Sequence, residues 1–233
     1  MKTIGLIGGM SWESTVTYYQ QINRCIGREL GGLHSARMVM YSVDFDELQE
    51  LQHVGKWHEI GVILADAAKS IESAGADLVV LCTNTMHIVA PQIEAATSLP
   101  FLHIADATAL RIKAAGMQRI GLLGTSFTME GDFYRGRLED SHNLSVVTPC
   151  AADRAIVHRV IYDELCRGKV EDASRAEYTR IVAALVAEGA EGIILGCTEI
   201  GLLLRPEDSP VPLFDTAHIH AESAAMTALQ GLC

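Results

Sequence analysis

The sequence predicts an α/β protein of two pseudosymmetric three-layer domains with parallel sheets and an active site in the cleft between them. Short apolar runs alternate with segments of helical period, which is the signature of strand–helix–strand units and parallel pairing. The first half is also echoed in the second. SAGADLVVLCTNT from Ser73 matches AEGAEGIILGCTE from Ala187, IGLIGGM from Ile4 matches IGLLGTS from Ile120, and LPFL from Leu99 matches VPLF from Val211. Matched segments in one order at nearly one offset indicate an internal repeat. Finally, 49% of the 233 residues are hydrophobic, enough to bury a sizeable core.

Taken in order, Thr3 to Ile7 reads as a strand and Gly8-Gly9-Met10 as the turn beyond it, where glycines let a ligand approach the backbone. Ser11 is a good N-cap for a helix from Trp12 to Leu30, stopped by Gly31-Gly32. Arg37 to Val43 reads as a strand ending at Asp44-Phe45-Asp46, with Gln52 in a loop beyond it. Apolar residues Ile60, Ile63, Leu64, Ala67 and Ile71 predict a helix over Lys56 to Ala74. Asp77 to Cys82 and Leu99 to Ile104 follow as strands, with a crossover near Thr97 to Pro100. In the second half the strands are Arg119 to Leu123, Leu144 to Val147, Gly192 to Gly196 and Leu213-Phe214, with a last helix over Ala217 to Leu229. Arg205 to Pro212 holds three of the six prolines and reads as a surface link. The expected domains are 1–97 with 210–233, and 98–209.

A formal net charge of −11 argues against nucleic acid or an anionic membrane as partner, because both attract basic patches. A small acidic substrate is still compatible with a locally positive pocket. MKTIGLIGGM opens directly as strand and turn, so no leader is expected, and no apolar run has the roughly 18 residues of a spanning helix. Six scattered cysteines without CxxC spacing read as reduced thiols of a cytoplasmic protein, without a metal site. His218 and His220 form an HxH pair, but no carboxylate or cysteine cluster accompanies it, and a helix start is the simpler reading.

Cys197 stands out among the cysteines. It ends an apolar strand, precedes Thr198 and Glu199, and opens the next helix. Ligands of open α/β sheets bind at that edge, and helix N-terminal amides there favour a thiolate. Superposing Gly75 on Gly189 sets Thr83 opposite Cys197. Cys82, one residue before Thr83, should point away from the site by strand alternation and serve as core.

These motifs resemble the aspartate/glutamate racemases, over nearly the whole length. Gly196-Cys197-Thr198-Glu199 matches the second signature of that family in full, and Asn84-Thr85 the tail of its Cys-Asn-Thr. GGM at Gly8 to Met10 and the Gly124-Thr125 turn also match. The run CTNTMH from Cys82 to His87 resembles the branch specific for L-aspartate and L-glutamate. The resemblance implies a cofactor-independent, PLP-independent racemase, often a homodimer, acting on a small acidic amino acid. It implies Cys197 and Thr83 as the catalytic pair, with Met10, Gln52, Asn84, Thr85, Thr125, Thr198 and Glu199 around the substrate. The polar residues among them could equally be N-caps or turn formers, and Met10 could be core. For a side-chain carboxylate, the resemblance directs attention to Glu47 to Gln52 and to Cys166 to Lys169, with Arg167 and Lys169 nearby. His87 could stand behind the first motif or on a helix surface.

Thr83 replaces the cysteine of the usual two-base scheme. A thiol has a pKa of about 8.5 and an aliphatic hydroxyl is near water at about 15.7. At about 1.4 kcal/mol per unit the gap is roughly 10 kcal/mol, so Thr83 is a poor base. The expected chemistry is one-sided: Cys197 removes the α-proton, which the resemblance assigns to the L-enantiomer, and Thr83 or solvent reprotonates the other face. The alternatives are a single-cysteine decarboxylase or isomerase of the same fold, and a non-catalytic protein that binds small acids.

Overall fold

The computed structural model describes residues 1–230. Its elements in chain order are β1 (Ile4–Gly8), α1 (Trp12–Leu30), β2 (Met38–Ser42), α2 (Phe45–His53), α3 (Trp57–Ser73), β3 (Leu78–Leu81), α4 (Ala90–Ala96), β4 (Phe101–Leu102) and α5 (Ile104–Ala114). They continue with β5 (Arg119–Gly124), α6 (Ser126–Glu130), β6 (Ser145–Val147), α7 (Ala151–Asp163), α8 (Asp172–Ala187), β7 (Gly192–Gly196), α9 (Ile200–Leu203), β8 (Leu213–Asp215) and α10 (Thr216–Leu229). The strands form two four-stranded parallel sheets, ordered β2-β1-β3-β4 and β6-β5-β7-β8.

The two sheets share their register as well as their order. Ile4 pairs with Leu78 in the first and Ile120 with Gly192 in the second; Val79 pairs with Phe101, and Ile193 with Leu213. These are the pairs that the sequence repeat superposes. The central strands β1, β3 and β7 are buried at every residue and β5 at all but Arg119, as expected of parallel strands covered on both faces. In the first sheet a cluster of Ile7, Leu48, Leu64, Ile71, Val79, Leu81 and Ile93 packs α2, α3 and α4 against it.

The chain divides into two compact units, Met1–Ile104 with the segment from His220, and Ala105–Ile219. The sequence drew the boundaries at 97/98 and 209/210. The ladders differ: β4 pairs with β3 in the first sheet and β8 with β7 in the second, so residues 98–104 stay with the first unit and 210–219 with the second. The prolines near both boundaries lie just before these edge strands, and there they read as links. Cys233 and the last residues of the expected first domain lie outside the described residues.

α2 is the other departure. Asp44 caps it, its carboxylate accepting from the Asp46 N–H at 3.1 Å, while Leu48 and Gln52 one turn apart face inward. Gln52 is thus a helical, buried residue and lies in no loop. Among the described residues no helix is long and apolar enough to cross a membrane, and no group of three or more His, Cys, Asp or Glu could hold a metal ion. His220 of the HxH pair is buried in α10.

Candidate active site

The first motif forms where β3 runs out. The Cys82 N–H still donates to Ile7 O at 2.9 Å, continuing the ladder, and the Thr83 N–H turns back to Leu81 O at 2.9 Å. Cys82 is fully buried, and burial pushes its thiol pKa up out of the useful range. It is core, as alternation predicts. Thr83, Asn84 and Thr85 follow, all buried, and a short 3-10 turn runs over Thr85–Val89. Asn84 precedes that turn in the helical region and makes no side-chain cap bond to it, which removes the N-cap reading for this residue.

The second motif ends β7. Cys197 is half-buried beyond Gly196, and its Sγ lies 3.0 Å from Glu199 Oε2. The Thr198 hydroxyl donates to the same oxygen at 2.7 Å. Glu199 is therefore a shared acceptor, and the Thr198 proton is committed to it. The Cys197 pKa is raised well above that of an ordinary thiol, first by burial and then by the Glu199 charge. This corrects the expectation of a helix-stabilised thiolate. α9 is a four-residue helix starting only at Ile200, and the sulfur lies against the Glu199 carboxylate. The resting group is a thiol donating to Glu199.

The glycine turns build the matching ends of β1 and β5. A side chain at Gly8 would collide with Thr15, whose hydroxyl accepts from the Gly9 N–H at 2.9 Å and donates to Ser11 O at 2.9 Å. Gly9 has φ of +97°, which favours glycine. Ser11 caps α1 as expected, accepting from the Ser14 N–H at 3.3 Å. Met10 packs with Leu48 and Met86 in the core cluster of this unit. Thr125 caps α6, its hydroxyl accepting from the Thr128 N–H at 3.3 Å. The next amide, Ser126 N–H, donates to His158 Nδ1 at 3.1 Å, which leaves that nitrogen unprotonated.

A profile of the Asp/Glu/hydantoin racemases matches residues 7–224. The chain belongs to this family. It is 22% identical to the broad-specificity amino-acid racemase RacX of Bacillus subtilis strain 168, over 97% of this chain and 98% of that one. A Yersinia pestis crystal structure whose Asp/Glu racemase name is itself provisional is 55% identical, covers 99% of this chain and 100% of its own, and superposes with a TM-score of 0.94. An aspartate racemase homologue from Pyrococcus horikoshii OT3 is 36% identical, over 99% and 100% of the two chains, with a TM-score of 0.85.

Within this Asp/Glu/hydantoin racemase fold, the segments considered for a side-chain carboxylate take different forms. Glu47 to Gln52 is helical. Cys166 lies in a 3-10 turn over Leu165–Arg167 that closes at Gly168, φ +70°, leaving Arg167 and Lys169 exposed. Two features escaped the sequence reading. The sequence groups Glu199 with the substrate contacts, and its bond to the thiol depends on side-chain direction, which spacing does not give. His87, left open between two positions, is 1% exposed and bonded to Thr83; its spacing of four residues from Thr83 was the available signal.

Proposed function

We propose that the protein is a PLP-independent racemase of small acidic amino acids, L-aspartate or L-glutamate, with Cys197 and Thr83 serving opposite faces of the substrate α-carbon. The observation that carries this is the carboxylate 3.0 Å from the Cys197 sulfur. In the proposed cycle the thiol proton passes to Glu199. The thiolate takes the α-proton: the Cα–H bond breaks, an S–H bond forms, and the electron pair stays on the substrate as a carbanion. Thr83, or a water it holds, delivers a proton to the other face and regains one from solvent, and Glu199 releases the proton it took from the thiol to solvent, which restores the starting state. A raised thiol pKa makes the thiolate scarcer but a stronger base towards carbon, and the neighbouring carboxylate gives the departing proton a direct route. Asn84, Thr85, Met10, Gln52 and Thr125 complete the proposed binding residues. Support comes from the equivalent placement of Thr83 and Cys197 at the ends of β3 and β7, and from relatives named for aspartate and for broad-specificity racemisation.

The test is α-proton exchange in D2O, followed separately for each enantiomer of aspartate and glutamate, beside Cys197→Ser. Exchange from the L-forms should far exceed that from the D-forms and disappear in the serine variant. Equal exchange from both enantiomers would remove the one-sided scheme. Carbon dioxide released from a malonate-type acid, without exchange, would favour the decarboxylase. The proposal includes a cytoplasmic homodimer: Trp12, Val16 and Tyr19 lie exposed along one face of α1. Sedimentation at monomer mass would remove that part.

A further inference from the structure

Behind Thr83 three histidines are buried in one layer. The rings of His87 and His103 lie 4.4 Å apart, those of His87 and His220 6.0 Å apart, and all three residues are at most 3% exposed. The hydrogen bonds of His87 fix its proton. Ile104 donates its backbone N–H to Nε2 at 3.2 Å, so Nε2 must carry a lone pair. Nδ1 lies 2.8 Å from Thr83 O, a carbonyl that can only accept, so Nδ1 carries the hydrogen. An imidazolium would set Nε2–H against the Ile104 N–H. The ring is thus held as the neutral Nδ1–H tautomer, clamped between a donor and an acceptor.

On its acceptor side the clamp holds Thr83. Its N–H is already bonded to Leu81 O at 2.9 Å, so the His87 bond commits the second backbone group of the same residue. The other half shows that the fold does not require it. The offset that carries Thr83 onto Cys197 carries His87 onto Gly201, and the offset pairing Phe101 with Leu213 carries His103 onto Asp215. The places correspond: a Cβ at Gly201 would sit 2.8 Å from Asp215 Oδ2, where the other half has one ring against another. The strand end bearing the sulfur leaves that place empty of a side chain; the strand end bearing the hydroxyl fills it. A thiol is much the stronger acid of the two groups. A hydroxyl some 7 pKa units weaker depends on being held in line with the carbon.

We propose that His87, as its neutral Nδ1–H tautomer, is a positioning residue that holds Thr83 for proton delivery. The inference rests on the racemase reading above and deepens it. Two amide variants separate the two ring nitrogens. The Asn amide nitrogen reaches the place of Nδ1, so His87→Asn keeps a donor for Thr83 O. Gln reaches as far as Nε2, so His87→Gln keeps an acceptor for the Ile104 N–H and releases Thr83. The readout is the ratio of D-product formed to deuterium incorporated in recovered L-aspartate or L-glutamate, which divides out any loss of folded enzyme. His87→Gln should lower that ratio on the order of 10- to 100-fold, the scale of a misplaced reacting group, and His87→Asn should largely restore it. Equal ratios in both variants and the wild type would overturn the inference while leaving the racemase reading in place. No exchange from any enantiomer in the wild type would instead overturn the racemase reading. Long-range proton–nitrogen NMR of the wild type gives a second readout independent of turnover. The Nδ1–H tautomer at neutral pH is expected, and an Nε2–H tautomer or an imidazolium would overturn the clamp.

Discussion

A carboxylate 3.0 Å from a thiol has two opposed effects. Its charge disfavours the thiolate, and its oxygen gives the departing proton a place to go. Glu199→Gln keeps the shape and removes the charge, so these effects can be separated. Without the charge, the second-largest cause of the raised Cys197 pKa is gone, and the pKa should fall. Alkylation of Cys197 by iodoacetamide at mildly alkaline pH should then speed up, read by mass spectrometry against exposed Cys150 as internal standard. Racemisation should fall by on the order of 100-fold or more, the usual contribution of a proton acceptor. A variant in which both rates rise would show that Glu199 only restrains the thiol. The position of Cys197 just beyond β7 was readable from sequence, because the repeat aligned that strand end with the one at Thr83; its protonation state was not. That state depends on burial and on which way Glu199 and Thr198 turn, and spacing along a chain carries neither.

At the level of elements, most strands were legible because the central ones are apolar on both faces and end at glycines or at the paired motifs. α2 was hidden because FDELQELQH has few apolar positions and its cap, Asp44, also reads as a strand terminator. The registers give the site its strongest elemental support. Ile4 with Leu78 and Ile120 with Gly192 fix β3 and β7 at the same height against their neighbours, so Thr83 and Cys197 leave their sheets at equivalent points. Thr83→Cys therefore puts a sulfur where the other half already carries one, at the end of an element that needs no rearrangement. The substitution should raise α-proton exchange from D-aspartate or D-glutamate by at least 10-fold, since a thiol removes much of the roughly 10 kcal/mol deficit in basicity. Exchange from the L-forms should change little. If the D-side does not respond, the two strand ends do not present their residues equivalently, whatever their registers.

For the whole molecule, the duplication and the return of the C-terminal segment to the first unit were legible, but the points at which the chain crosses were not. β4 and β8 are two and three residues long, and only their ladders reveal which sheet each joins. The final helix returns to the first unit: Ala228 O accepts from the Lys2 N–H at 2.9 Å, and Glu222 pairs with Arg28 at 3.1 Å. His220 donates from Nε2 to Leu102 O at 2.7 Å and accepts the Tyr18 hydroxyl at Nδ1, 2.9 Å. This return makes stability depend on pH. Burial lowers the His220 pKa from 6.5 to about 4, against a smaller raising effect of the Leu102 bond. Above pH 6.5 neither folded nor unfolded chain binds a proton there, and the contribution is complete. As pH falls from 6.5 to 4 the unfolded chain takes up a proton that the folded one refuses, so stability is lost at up to about 1.4 kcal/mol per pH unit, about 3 kcal/mol in all. Below 4 both forms are protonated and the loss stops growing. His220→Gln keeps an amide donor for Leu102 O and cannot titrate. Urea unfolding across this range should therefore show a shallower fall for the variant than for the wild type, the two curves converging as pH drops. Parallel curves would mean that the folded protein accepts the proton on His220 without penalty, and that the return of α10 is not what acid attacks.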